Sequence, residues 1–119
     1  MQSYQFGKME IKFAELIWEY APISSGELVK LCQETLEWKK STTYTMLRRL
    51  CEKGLFENRN SIVYTRISED EFRALQSKQF VEETFGGSLP EFLAAFVSKK
   101  KLSKKEIREL QELIDNMEA

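Results

Sequence analysis

The sequence predicts a mainly α-helical protein with one small β-hairpin near its middle. Apolar residues recur at helical spacing up to residue 54 and again after residue 68. Between residues 55 and 67, short runs of β-branched and aromatic residues flank the turn sequence Asn60-Ser61. Four serines are each followed three positions later by glutamate, which is the spacing of a helix-capping box: Ser24, Ser68, Ser88 and Ser103.

Three helices are predicted before the hairpin. The first, residues 8–20, has an apolar stripe of Met9, Phe13, Leu16, Ile17 and Tyr20, and Pro22 ends it. Ile23 is expected to form a strand of one or two residues. Ser24 is expected to cap a second helix that ends near Leu36. The third helix is expected to begin at Ser41 as N-cap and to end with Gly54 as a left-handed C-terminal cap.

The third helix has two chemically different sides. Its inner side contains Thr43, Met46, Leu47 and Leu50, and its other faces contain hydroxyl and guanidinium groups. Hydroxyls bond bases or phosphates, and arginine pairs with guanine or phosphate, so this polar side suits the major groove of DNA. An ordinary surface helix with a solvated face has the same pattern.

The order of elements favours DNA binding over a plain surface helix. Three short helices followed by a hairpin is the order of a winged helix-turn-helix domain, with the third helix as the reading element and the hairpin as the wing. The whole chain has a net charge of −1, but residues 38–67 contain seven basic and two acidic residues, or +5. Charge and helix face make Lys39, Lys40 and Arg48 candidate DNA contacts.

Residues 68–119 are expected to form three more helices, ending near residues 85, 99 and 117, with one apolar stripe each. Three such helices make a thin core, so a second copy of the chain is expected to cover the stripes. The alternative is that the tail folds back on the N-terminal half. The sequence thus predicts a DNA-binding domain at 1–67 and a helical dimerisation domain at 68–119. The expected dimer interface is Phe80, Leu89, Phe92, Leu93, Phe96, Ile107, Leu110 and Ile114.

Composition argues against several other functions. The chain has no histidine and two cysteines, which removes the commonest general base and leaves poor material for a zinc site. We therefore expect no enzymatic activity, no metal and no cofactor, and we expect Cys32 and Cys51 to be free thiols. No apolar run approaches about 20 residues, and the first residues lack a signal-peptide core, so we expect a cytoplasmic protein without membrane insertion.

The chain resembles the penicillinase repressor family over nearly its whole length. The resemblance rests on Ala14-Glu15-Leu16-Ile17-Trp18, Trp38, Thr42, Thr45-Met46-Leu47-x-Arg49-Leu50-x-x-Lys53-Gly54, Val63-Tyr64-Thr65 and Leu102-Ser103-x-x-Glu106-Ile107. It implies a dimeric repressor that binds a palindromic operator in double-stranded DNA, with the two tryptophans structural. It also implies DNA contact by Ser41, Thr42, Tyr44, Thr45 and Arg49 in a recognition helix at 41–53.

Three features depart from the family pattern. The hairpin is shorter than the usual wing, which leaves Arg59 as its candidate DNA contact. Relatives that respond to β-lactams are cleaved at an Asn-Phe bond in the fifth helix, through a membrane metallopeptidase sensor. The matching pair here is Ala95-Phe96, the candidate cleavage position. Copper-responsive relatives end in a paired Cys-x-Cys motif that this sequence lacks, so copper sensing is not expected.

The function that these observations favour is a dimeric transcriptional repressor inactivated by an unidentified signal, with proteolysis in the tail as one route. The alternative is a winged-helix adaptor that binds other proteins and not DNA. The +5 segment discriminates between the two functions, because an adaptor does not need a basic reading face.

Overall fold

The computed structural model of the protein describes residues 6–117. Within them lie six helices and one three-stranded antiparallel sheet, which confirms the predicted fold class. The elements in chain order are α1 (Lys8–Tyr20), β1 (Ile23–Ser24), α2 (Ser25–Leu36), α3 (Lys40–Glu52), β2 (Phe56–Arg59), β3 (Ile62–Thr65), α4 (Glu69–Phe85), α5 (Leu89–Val97) and α6 (Lys104–Met117).

The described residues divide into two compact units, one up to Gln79 and one from Phe80 onwards. Helix α4 contributes to both, since Phe72 is buried in the first unit and Phe80 belongs to the second. The functional division predicted between residues 67 and 68 stays a prediction.

The core of the first unit is built from one face of each of its elements. Helix α1 buries Phe13, Ala14 and Ile17, while Met9 and Tyr20, at the ends of its predicted stripe, are about half exposed. The other fully buried large side chains come from α2, α3, the hairpin and α4: Leu28, Leu50, Leu55, Phe56, Val63 and Phe72. The indole of Trp18 packs on this core, and its Nε1 donates a hydrogen bond of 3.0 Å to the Ile67 carbonyl.

The hairpin is short and its turn is tightly defined. Strand β3 lies between β1 and β2, with Ile23 opposite Val63 and Asn58 opposite Val63 on the other side. Asn60 and Ser61 have φ angles of 52° and 63°, so both lie in the left-handed region that a two-residue type I′ turn requires. The backbone N–H of Ser25 donates to the Ser61 carbonyl at 2.8 Å, which ties this turn to the start of α2.

The N-cap of α3 lies two residues before the predicted one. The N-cap is Lys39, without a side-chain cap, and the predicted cap Ser41 lies inside the first turn. Tertiary contacts place this start: Trp38 donates its N–H to the Cys32 carbonyl at 3.2 Å, and its ring centroid lies 5.1 Å from that of Phe13. The Ser41 hydroxyl therefore lies on the exposed side of the helix.

The end of α3 is fixed by a Schellman motif around Gly54. Gly54 has φ 87°, and its N–H donates to the Cys51 carbonyl while the Leu55 N–H donates to the Leu50 carbonyl. The predicted left-handed cap is confirmed. It turns the chain sharply from α3 into β2.

The remaining helices begin at their predicted caps. Ser68, Ser88 and Ser103 each accept a hydrogen bond from the backbone N–H three residues later. Ser103 also donates its own N–H to Glu106, and this bond to the charged form lowers the pKa of the Glu106 carboxyl. Gly86 and Gly87, both with positive φ, follow α4. Helix α5 ends at Val97, two residues earlier than predicted.

An ion pair joins α1 to the end of α3. Lys53 Nζ lies 3.0 Å from Glu10 Oε2 and 4.4 Å from the centroid of the Phe6 ring. Partial burial favours the neutral carboxyl, but hydrogen bonds from Lys53 and from the Gly7 N–H outweigh it. The pKa of Glu10 is therefore below its ordinary value.

We expect Glu10→Gln to lower the free energy of unfolding by about 0.5–1 kcal/mol at neutral pH, since the pair is partly exposed. A lowered folded-state pKa stabilises the protein above the ordinary glutamate pKa, and this stabilisation is lost as pH falls through the folded pKa. Denaturant unfolding of the variant and the wild type from pH 7 to pH 3 should therefore converge at the acidic end. Glu15→Gln, at an exposed position of the same helix, is the control and should match the wild type throughout.

We expect Ser61→Gly to raise the free energy of unfolding by about 0.5–1 kcal/mol, because glycine adopts a positive φ without the steric penalty that serine has. The bond from Ser25 would remain, since it is made to the backbone. Asn60→Gly is the matched control and should change little, because asparagine tolerates the left-handed region. Chemical denaturation measures both, and an unchanged or lower stability of Ser61→Gly would contradict this account of the turn.

Candidate nucleic-acid interface

Helix α3 presents its polar side outwards because its other side is locked into the core. Thr43, Leu47 and Leu50 are at most 2% exposed. The predicted DNA-contact residues of α3 and its N-cap lie on the remaining faces. All are exposed except Tyr44, which is half-buried: Lys39, Lys40, Ser41, Thr42, Tyr44, Thr45, Arg48 and Arg49.

A shallow depression lies in the middle of this surface. It is lined by Ser41, Thr42, Thr45, Met46 and Arg49. Met46, which the sequence placed on the inner face, is half-buried, and its sulfur lies 3.7 Å from Arg49 Nη1. Met46 therefore joins this surface, which was not predicted, although its spacing of three residues from Arg49 is a signal for contact along a helix.

Tyr44 lies between the outer face of α3 and the start of α2. Its hydroxyl donates a long hydrogen bond of 3.4 Å to Ser25 Oγ, and Lys40 Nζ is 6.0 Å from its ring centroid. Ser25 is buried, and its backbone N–H donates to the Ser61 carbonyl in the hairpin turn. Ser25 therefore connects Tyr44 of α3 with that turn. The Ser25 N–H is therefore not available to a DNA phosphate, because the Ser61 carbonyl already accepts it.

The hairpin adds one basic side chain to the surface. Arg59 ends β2 next to the turn and is exposed. Its Nη1 lies 3.9 Å from Glu57 Oε1, and its guanidinium carbon lies 4.6 Å from the Tyr64 ring centroid. The basic residues of the +5 segment thus extend from α3 to the wing.

The two cysteines, Cys32 in α2 and Cys51 in α3, are free thiols, as predicted. Cys32 is buried and Cys51 half-buried. Burial raises the pKa of both thiols and outweighs the opposite effects of the Thr43 side chain on Cys32 and of the Asn58 backbone on Cys51. Both therefore remain protonated at neutral pH and pack as small apolar groups.

In the second unit, apolar side chains are left open to solvent. The rings of Phe80, Phe85 and Phe92 form a cluster with centroids 5.6–6.0 Å apart. A groove between α5 and α6 is lined by Phe92, Leu93, Phe96, Leu102, Glu106, Glu109, Leu110 and Leu113. No described residue of α5 or α6 is fully buried, and Leu89 and Ile107 are 61% and 54% exposed.

The predicted interface residues of the tail all lie in this unit, either in the groove, in the ring cluster or on exposed positions of α4, α5 and α6. Ala95 and Phe96, the candidate cleavage pair, are both exposed and lie within α5. Across residues 6–117, no helix is both long and apolar enough to cross a membrane.

Known proteins match the chain over almost its full length. The family model described as penicillinase repressor matches residues 6–116. The penicillinase repressor of Bacillus licheniformis is 29% identical over 115 residues, which is 93% of this chain and 90% of that protein. The methicillin resistance regulatory protein MecI of Staphylococcus aureus is 26% identical over 118 residues, 96% of each chain. The penicillinase repressor of Staphylococcus aureus is 27% identical over 119 residues, 92% of this chain and 94% of that protein.

Proposed function

The chain belongs to the penicillinase repressor family, and from this premise we propose that it is a transcriptional repressor that binds a palindromic DNA operator as a homodimer. The observation that supports this most directly is the outer face of α3. Hydroxyls and guanidinium groups are exposed there in one row, in a segment with a net charge of +5, while the inner face is buried.

The exposed face of α3 suits the reading of base edges. Arg48 and Arg49 offer planar donor groups that match guanine O6 and N7, and Ser41, Thr42 and Thr45 offer hydroxyls that pair with either bases or phosphates. Met46, with its flexible thioether, suits contact with a thymine methyl group. We propose that α3 enters the major groove with these residues toward the bases.

Lys39, Lys40 and Arg59 suit the phosphate backbone on either side of the groove. The two lysines lie at the first residues of α3, and Arg59 lies on the wing. Each phosphate that they neutralise releases a counterion, so the logarithm of the binding constant should fall linearly with the logarithm of the salt concentration. Tyr44, held by Ser25, is placed to add a hydroxyl contact.

The tail provides the reason for a dimer. Phe80, Leu89, Ile107 and Ile114 are between 48% and 61% exposed in one chain, and single soluble chains rarely leave so many large apolar groups together in water. We propose that a second copy covers Phe80, Leu89, Phe92, Leu93, Phe96, Ile107, Leu110 and Ile114. A two-fold dimer presents two copies of α3, which matches the two half-sites of a palindrome.

Loss of the dimer would release the operator, since each half-site alone binds far more weakly than two linked ones. Proteolysis of the Ala95–Phe96 bond would act in this way, because it cuts α5 within the proposed interface. We propose that an external signal reaches the repressor through such a step, with a membrane metallopeptidase sensor as one source.

For the reading helix, we expect Arg49→Ala and Arg48→Ala each to weaken binding to the DNA upstream of the chain's own gene by about 1–3 kcal/mol if the arginine contacts a base. An arginine on a phosphate would instead lower the salt slope by about 1. Arg73→Ala is the matched control, an exposed arginine on α4 that pairs with Glu69. Fluorescence anisotropy across a salt series measures all three.

Wild-type affinity and salt slope for both Arg48→Ala and Arg49→Ala would contradict the assignment of α3. If the wild-type chain does not bind bulk genomic DNA even at low salt, that result would instead support the protein-binding adaptor.

For the tail, we expect Phe96→Asp and Ile107→Asp to convert the dimer to a monomer, because each places an unpaired carboxylate in an apolar interface. Lys99→Asp, in the exposed loop after α5, is the control and should leave the dimer intact. Sedimentation equilibrium gives the mass, and circular dichroism checks that the helices persist. A wild-type chain that is monomeric at micromolar concentration would rule out the dimer.

A further inference from the structure

The wing holds its basic side chain between two partners. Arg59 is the one arginine or lysine within residues 56–65. Its Nη1 is 3.9 Å from Glu57 Oε1, too far for a hydrogen bond, so this pair is held by charge alone. Its guanidinium carbon is 4.6 Å from the centroid of the Tyr64 ring, well within cation–π range.

The strand register brings these three side chains together. Glu57 lies opposite Tyr64 and Arg59 opposite Ile62 in the antiparallel pair of β2 and β3. Side chains alternate between faces along each strand, so Glu57, Arg59 and Tyr64 share the face opposite to the buried Phe56 and Val63. Arg59 and Tyr64 are diagonal neighbours on that face, a distance that long and aromatic side chains bridge.

From this geometry we infer that Tyr64 positions Arg59 for a DNA phosphate and that Glu57 competes with that phosphate for the same guanidinium. The inference rests on the proposed function and assigns roles to two residues that it leaves unused. The occupant of the site is a phosphodiester of the DNA backbone, an anion whose oxygens match the planar fork of a guanidinium.

The ring contact leaves the donors of Arg59 available. A cation–π contact uses the positive charge of the guanidinium and does not require any of its five N–H donors to bond an oxygen. Within residues 6–117, the guanidinium of Arg59 makes no hydrogen bond to a carbonyl or carboxylate oxygen, because Glu57 is too distant to accept one. A phosphate that approaches therefore meets a guanidinium that is held by the Tyr64 ring and can still donate its N–H groups.

The shortness of the wing gives this platform its importance. The turn consists of Asn60 and Ser61 alone, both with positive φ, and the bond from the Ser25 N–H to the Ser61 carbonyl anchors it. A turn this short and constrained gives Arg59 little backbone movement toward a phosphate. The position of the Arg59 side chain therefore depends on Tyr64, and a side chain that is already positioned loses less conformational entropy on binding.

The test is a double-mutant cycle in DNA binding with the full-length chain. The probes are a labelled duplex from upstream of its own gene and a scrambled duplex of equal length, titrated by fluorescence anisotropy across a salt series. Arg59→Ala should lower the salt slope by about 1 on both duplexes, because a phosphate contact is independent of sequence.

Tyr64→Leu should weaken binding by about two- to five-fold when Arg59 is present and should have no effect in the Arg59→Ala background. Tyr64→Phe keeps the ring and should bind as the wild type does. Glu57→Gln should tighten binding, and by more with Arg59 present than in the Arg59→Ala background. Thermal unfolding checks that each variant is folded. If Tyr64→Leu does not fold, Tyr64→Thr replaces it, because threonine also lacks a ring and is favoured in strands.

Several outcomes would overturn the inference. An equal loss for Tyr64→Leu in both backgrounds would mean that Tyr64 acts independently of Arg59. A loss for Tyr64→Phe would assign the effect to the hydroxyl, and an equal gain for Glu57→Gln in both backgrounds would remove the competition. Arg48→Ala and Arg49→Ala in the same titrations separate the two proposals. If either weakens binding while Arg59→Ala does not, only the wing inference fails. If both bind as the wild type does, the proposed reading helix fails.

Discussion

The burial of one side of α3 is the constraint on which the rest of this structure depends. Thr43, Leu47 and Leu50 lie in a core shared with α1, α2 and the hairpin. A rotation of the helix by one residue, about 100°, would bring Arg48 toward that core, where an unpaired charge is costly. The outward direction of the hydroxyl and guanidinium side chains therefore follows from packing behind them.

In the hairpin, too, burial of one face directs the side chains of the other face into solvent. Phe56 and Val63 are buried, so the opposite face of the same strands must hold Glu57, Arg59 and Tyr64 in solvent. The Schellman cap at Gly54 joins the two elements, and Ser25 links the turn to Tyr44. The candidate surface is thus the outer side of two elements held by one core, which suits a protein whose partner is a rigid double helix.

In the tail, unlike in the first unit, most large apolar side chains are exposed. Its helices are well capped, but their apolar stripes stay open because three helices of this length cannot cover one another. In the first unit, most large apolar side chains are buried, with Met9 and Tyr20 as half-exposed exceptions. In the second, apolar groups are exposed along α5 and α6, and these are the groups that the proposed dimer would bury.

The sequence by itself determined the fold class, the family and nearly all element boundaries. The bounds of α1, the strand at Ile23, the turn at Asn60-Ser61, the capping serines and the cap at Gly54 were all predicted, and the family match confirms the resemblance seen in the third-helix motif. Hydrophobic periodicity, helix capping and turn chemistry depend on residues close together in the chain, so they can be recognised from short stretches of sequence. Only the tertiary structure decided that α3 begins after Lys39, that the Ser25 N–H is taken by Ser61, that Met46 joins the outer surface and that Arg59 lies on Tyr64. These four features depend on the rotation of each helix and on the pairing of the strands. Both are set by packing between residues that are far apart in the sequence.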